Sequence, residues 1–191
     1  SDFAHDIYHG LSSTPKYLES KYFYDAEGDK LFQKIMAMDE YYLTDCELEI
    51  LNNHKEELVT YFNDSNTPLL LTELGAGDGQ KTKVLLKHLL NNSIHFRYLP
   101  IDISPNVLNL LESYLSLNFP GLKVKPYAGD YFQALDRLNH SENGRKILLF
   151  LGSTIGNFEY EDAVKFLRSL NERMNSKDLI MIGFDLKKNP D

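Results

Sequence analysis

Residues 69–86, LLLTELGAGDGQKTKVLL, join an apolar run to a helical pattern through Gly75, Gly77 and Gly79, with Glu73 ahead of them and Asp78 among them. A glycine-rich turn between strand and helix lets backbone N–H groups approach a nucleotide closely. Three nucleotides compete for this one. A P-loop requires GxxxxGK[ST], and Gln80 stands where the second glycine must curl around phosphate, ahead of Lys81 and Thr82. A dinucleotide site requires GxGxxG, whereas the spacing here is GxGxG. Either ligand would also bring phosphate toward Glu73 and Asp78. Like charges in contact cost about 1 kcal/mol in water and about 4 at a protein surface. S-adenosylmethionine carries a sulfonium and no phosphate, so the acidic residues need not meet an anion there.

Two further signals suit that methyl donor. Asp102 closes the next apolar run, where a carboxylate can accept both ribose hydroxyl protons. Gly129, Asp130 and Tyr131 follow the third run, where an Asp can take the adenine amino group and an aromatic ring can cover the base. Glycines that merely make a tight turn would explain the loop but not acidic or glycine signals at three successive run ends. After the fourth run, the segment GSTIGNF (152–158) carries Asn157, whose amide offers one acceptor and two donors to a polar substrate. The plainer reading of Asn157 is an Asx turn opening the next helix.

Short apolar runs at 69–74, 96–102, 122–127, 146–151 and 178–184 read as strands. Helical patterns lie between them at 80–90, 105–118, 131–138 and 160–174. Ser104 before Pro105 is a helix start. This alternation predicts an α/β fold with a mostly parallel, doubly wound sheet and ligands at the carboxyl ends of its strands. Residues 1–66 read as a helical N-terminal cover contributing to the substrate site, and residues 67–191 as the nucleotide-binding core. Within the cover, Leu31, Phe32, Ile35 and Met36 have helical spacing. Thr44 to Glu47 reads as a capping box for a helix reaching Phe62, with Leu48, Leu51, Leu58 and Phe62 inward. Glu47, Glu49, Glu56 and Glu57 read as its solvated face.

At 191 residues, 42% hydrophobic, the chain is long enough for a substantial core. A net charge of −8 with no basic stripe argues against nucleic acid. No apolar run is long enough to span a bilayer, and the N-terminus lacks a signal-peptide design. The single cysteine, Cys46, excludes an internal disulfide. The expectation is a cytoplasmic protein with a small-molecule partner; oligomeric state is not readable. His5 and His9 have the spacing of helical metal ligands but lack a third, so no metal is expected.

Four segments in order, KYFYD (21–25), EYYLT (40–44), ELGAGDG (73–79) and GSTIGNF (152–158), resemble the histidine Nα-methyltransferases of ergothioneine biosynthesis. The resemblance implies a Rossmann-like class I methyltransferase that trimethylates the α-amino group of histidine to hercynine. It implies donor contacts from Gly75, Lys81, Asp102, Asp130 and Tyr131, to which the residue reading adds Glu73, Gly77 and Gly79. It also implies that Tyr41 and Asn157 anchor the amino acid and that Tyr24 lies near its amino nitrogen, making Tyr24 and Asn157 the candidate catalytic pair. Packing between cover and sheet is the plainer role for Tyr24, Tyr41 and Tyr42. The family's imidazole-reading residues and closing strands are assigned to a region beyond Asp191, so a half-built acceptor site is expected. Two other readings stand beside it: a homologue that senses the nucleoside without turnover, and a methyltransferase of prenylated tryptophan or another small amine.

Overall fold

The computed structural model describes residues 2–18, 22, 26–38, 40–62 and 67–187. The chain divides into two compact units, Ser1–Asp39 and Glu40–Asp191. The first contains α1 (Asp2–Ser12) and α2 (Ala26–Met36). Tyr22 donates to Asp6 at 2.6 Å and its ring meets Phe3 edge-on at 4.8 Å, tying the chain back onto α1.

In the second unit, β1 (Leu69–Leu74) is buried at all six positions, as a central strand covered on both faces must be. It pairs in parallel with β2 (Phe96–Asp102) on one side and β5 (Arg145–Phe150) on the other. The sheet order is β3-β2-β1-β5-β6, with β3 (Lys123–Val124), β4 (Tyr127–Ala128) also on β2, and β6 (Leu179–Ile182) at the far edge, all pairings parallel. The third strand, expected to be continuous over 122–127, is split because Pro126 has no N–H for the ladder.

Alternation along β1 sorts the core. Leu69 and Leu71 face Leu51, Val59 and Phe62 of α3 (Leu43–Phe62), together with α4 (Thr82–Asn91) and α5 (Pro105–Asn118). Leu70 and Leu74 face Leu135 and Leu138 of α6 (Tyr131–Ser141) and Phe166 and Leu170 of α7 (Tyr160–Glu172). The sheet is therefore covered on both faces. Helix α3 belongs to the unit that contains the sheet: the change of composition at residue 67 marks where strands begin, and the packing boundary lies earlier.

Ser104 caps α5, accepting the Val107 N–H at 3.3 Å with Pro105 at the first turn. A cap of this kind contributes about 1 kcal/mol. The capping box expected at Thr44–Glu47 does not form. Helix α3 begins at Leu43, which places Thr44 inside it and buries it, and Glu47 makes other bonds, described below. No described helix is long and apolar enough to cross a membrane.

Candidate active site

The carboxyl ends of β1, β2, β4 and β5 carry the residues singled out by sequence. Gly75, Gly77 and Gly79 all have positive φ (71°, 54° and 66°), which accounts for three glycines in five positions. Two backbone bonds seat the loop on the neighbouring strand: the N–H groups of Gly75 and Ala76 donate to Ile101 O at 2.9 and 3.1 Å. Asp102 finishes the job with both oxygens. Oδ2 accepts the Gly77 N–H at 3.0 Å and Oδ1 accepts the Ser104 N–H at 2.9 Å. A carboxylate has about four lone-pair sites, so Asp102 keeps acceptor capacity for a ligand.

Glu73, expected beside the ligand, lies beneath the loop at 3% exposure. Thr82 Oγ1 donates to its Oε1 at 2.6 Å, and the Tyr98 hydroxyl donates to its Oε2. Burial pushes the Glu73 carboxyl up to about 7, although the bonds from Thr82 and Tyr98 pull the other way. Burial likewise holds the Tyr98 phenol well above its ordinary value, reinforced by the Glu73 charge. Glu73 thus supports the loop from within the core.

Tyr131, the first residue of α6, is half-buried. A Cβ on Gly75 would come within 3.0 Å of the Tyr131 hydroxyl, so the ring edge closes over the loop. Its ring is fixed edge-on against Phe150 and Phe166. Asp130 is exposed and caps α6, its Oδ1 accepting the N–H groups of Phe132 and Gln133 at 2.9 and 3.3 Å.

Beyond β5 the chain turns sharply. Gly152 and Ser153 both have positive φ (79° and 54°), and a 3₁₀ turn over Thr154–Asn157 follows. The left-handed conformation is uncommon for serine and marks a turn held by its surroundings. Asn157 ends the 3₁₀ turn and is exposed; the N-cap of α7 is Glu159, so the Asx-turn reading of Asn157 does not describe it. Tyr41 is half-buried just before α3, and its neighbour Tyr42 donates to Asp185 at 2.7 Å. Tyr24, like the rest of 21–25 except Tyr22, lies outside the described residues.

Lys81 follows the glycine loop and makes an ion pair with Glu47, Nζ to Oε2 at 2.6 Å. Glu47 corrects the reading of α3's acidic residues as one solvated face: Glu49, Glu56 and Glu57 are exposed, but the Glu47 side chain is only 14% exposed. The signal was in its phase. Glu47 sits four residues before Leu51 and eleven before Leu58, on the inward stripe. Thr82 and Tyr98 were also missed as partners of Glu73, since nothing in their local sequence distinguishes them from core residues. Among the described residues, no group of three His, Cys, Asp or Glu side chains could hold a metal ion.

The family described as histidine-specific methyltransferase, SAM-dependent, matches residues 3–191. The histidine N-alpha-methyltransferase of Mycolicibacterium smegmatis is 33% identical over 183 residues, covering 96% of this chain and 55% of that protein. Ergothioneine biosynthesis protein 1 of Schizosaccharomyces pombe is 34% identical over 173 residues, covering 88% of this chain and 22% of that protein. This chain spans about half the length of the mycobacterial relative. Among solved structures, the plantazolicin methyltransferase BamL in complex with SAH is similar with a TM-score of 0.54 at 12% identity, over 95% of this chain and 57% of that one. At that identity the likeness is one of fold, the Rossmann-like class I methyltransferase fold. With the family match spanning nearly the whole chain and the sheet carrying its glycine loop in the expected place, the chain belongs to the SAM-dependent, histidine-specific methyltransferases.

Proposed function

We propose that this chain binds S-adenosylmethionine at the carboxyl ends of β1, β2 and β4 and takes part in methylating the α-amino group of histidine, giving hercynine after three transfers. The observation that carries the donor reading is the charge around the glycine loop. Asp102 holds the loop and Glu73 lies beneath it, while the adjacent cation, Lys81, is already paired with Glu47. That setting opposes a pyrophosphate and suits a sulfonium.

The residues fit the donor. Asp102 would take the ribose hydroxyls with its remaining lone pairs, Tyr131 would lie along the adenine, and Asp130 would accept its amino group through Oδ2. Gly75, Gly77 and Gly79 would bring backbone against the nucleoside, Lys81 would meet the donor's carboxylate end, and Glu73 would act through the loop. When bound, the donor supplies an electrophilic methyl group. This chain's part is to hold a neutral amine in line with it, which is a matter of positioning and water exclusion more than of a strong base. Asn157 and Tyr41 would orient the amino and carboxylate groups of the acceptor without adding charge.

Calorimetry on the 191-residue chain is expected to show micromolar binding of S-adenosylhomocysteine and none of ATP or NAD. The reverse would overturn the donor reading. Turnover is assayed with histidine and methyl-labelled donor, on the chain as given and on the chain extended to the length of its mycobacterial relative. Asn157→Ala is expected to cut turnover in the extended chain about 100-fold, as loss of polar contacts to a charged ligand does, and to leave donor affinity within twofold. Loss of donor affinity instead would assign Asn157 to the nucleoside site.

A further inference from the structure

One carboxylate lies on the inward face of α3, and two strand ends and the start of a helix converge on it. Both oxygens of Glu47 accept the Gly152 N–H, at 2.8 and 2.9 Å, and Oε2 also takes Lys81 Nζ at 2.6 Å. The backbone around it is cut to fit. A Cβ on Gly183, just past β6, would overlap Glu47 Oε1, and a Cβ on Gly152 would stand 3.0 Å from Lys81 Nζ. Gly183 has no positive φ to explain it, so the space it leaves for Glu47 is its visible purpose. The N–H of Gly152 opens the left-handed turn that leads through Ser153 to Asn157, and Lys81 is the N-cap of α4, two residues after Gly79 of the glycine loop.

We propose that Glu47 is a positioning residue that couples the two halves of the site. It holds the Lys81 ammonium at the mouth of the donor loop and, with the same carboxylate, fixes the turn that presents Asn157 to the acceptor. An ammonium has three donor hydrogens, so Lys81 pinned in this way still has two to offer the donor's carboxylate. Removing Glu47 leaves a half-buried cation unpaired and a backbone N–H without its acceptor, which disturbs both halves at once. The inference rests on the donor reading given above.

The test uses four single and two double variants of the 191-residue chain, with S-adenosylhomocysteine as the calorimetric probe and thermal melts to verify folding. Glu47→Gln keeps the shape and an acceptor for Gly152 but abolishes the ion pair. It is expected to weaken the probe five- to tenfold, as is Lys81→Ala, and the double variant should be no weaker than the worse single one. Gly183→Ala should weaken the probe comparably by displacing Glu47, yet add less than twofold in a Glu47→Ala background. A role in stability alone would lower the melting temperature without this pattern of non-additivity. Amide hydrogen exchange supplies a readout independent of the donor: Gly152 to Asn157 should exchange about tenfold faster in Glu47→Ala and at the parental rate in Lys81→Ala. If the parent binds no probe, the donor reading fails and the exchange result alone decides for or against Glu47. Parental exchange at Gly152 in Glu47→Ala, or effects of Glu47 and Lys81 that multiply, would overturn the coupling.

Discussion

At the ends of β1, β2 and β4 the backbone is pinned by groups belonging to the sheet and the loop itself, whereas beyond β5 and β6 it is pinned by side chains reaching across from the start of α3. Ile101 and Asp102 hold the glycine loop, and Glu73 holds Thr82 and Tyr98 from below. On the other side, the Gly152 N–H is satisfied by Glu47, 105 residues earlier, and Tyr42 bonds Asp185. The Asp185 N–H donates in turn to Ser153 Oγ at 2.7 Å. The backbone of the proposed donor half is thus held from within one stretch of chain, with only the Lys81 side chain tied to α3, whereas the proposed acceptor half takes its backbone support from that helix, which precedes the sheet.

The sharpest way to break this contrast is to substitute a glycine in each half. Gly79→Ala forces a left-handed alanine, costing about 1–2 kcal/mol, and drives its Cβ to 2.8 Å from the Leu111 side chain, which core packing prevents from yielding cheaply. A drop in melting temperature of roughly 5–15 °C is expected, with loss of donor binding. Gly156→Ala, whose Cβ meets nothing nearer than Ser153 Oγ at 3.9 Å, should stay within about 0.5 kcal/mol of the parent. Equal losses of stability would mean that the two halves share one degree of rigidity.

Next in size is a pH effect confined to the donor half. Burial raises the Glu73 carboxyl from 4.5 to about 7, so between those values the folded state binds a proton that the unfolded state has released. The contribution to stability is therefore fully present below pH 4.5 and lost as pH rises through 7. It amounts to about 3 kcal/mol at 1.36 kcal/mol per unit. Glu73→Gln, which keeps both bonding partners without the charge, should flatten the fall between pH 5 and 8 in denaturant titrations. An unchanged slope would remove Glu73 as its source.

The smallest effect sharpens the picture within the loop. Asp102→Ala should weaken S-adenosylhomocysteine tenfold or more, because hydrogen bonds to a charged group contribute about 1.5–3 kcal/mol. Asp78 is exposed and, among the described residues, accepts only the Gln80 N–H, at 3.0 Å, so Asp78→Ala should remain within about threefold. Equal effects in calorimetry would mean that loop charge, not the bonds of Asp102, governs affinity.

The sequence disclosed the donor half more fully than the acceptor half, and the reason is the same contrast. β1 and β2 were legible to the residue, β1 because a strand buried at all six positions is mostly apolar and β2 because four consecutive buried positions form its centre, and three glycines at positive φ announce their own loop. Positions of Asp102, Asp130 and Tyr131 followed from strand ends. Glu47 was not legible as a partner of Gly152, since a bond between residues 105 apart leaves no local spacing to detect. Only its place on an apolar helical stripe hinted that it was not solvated. The break at Pro126 was in plain sight, but pattern averaging over a six-residue run hid it.

The position of β1 in the middle of the sheet has a consequence for how the chain is made. Leu69 finds Phe96 soon after it leaves the ribosome, yet its other neighbour is Arg145. At translation rates of about 5–20 residues per second, that edge of β1 stands open for roughly 4–15 s, with all six of its residues destined for the interior. Unpaired apolar edges are templates for aggregation. The nascent chain thus passes through an interval in which the glycine loop has its inner support but the sheet has no second half, and a holdase that shields strand edges would act on it then and not later.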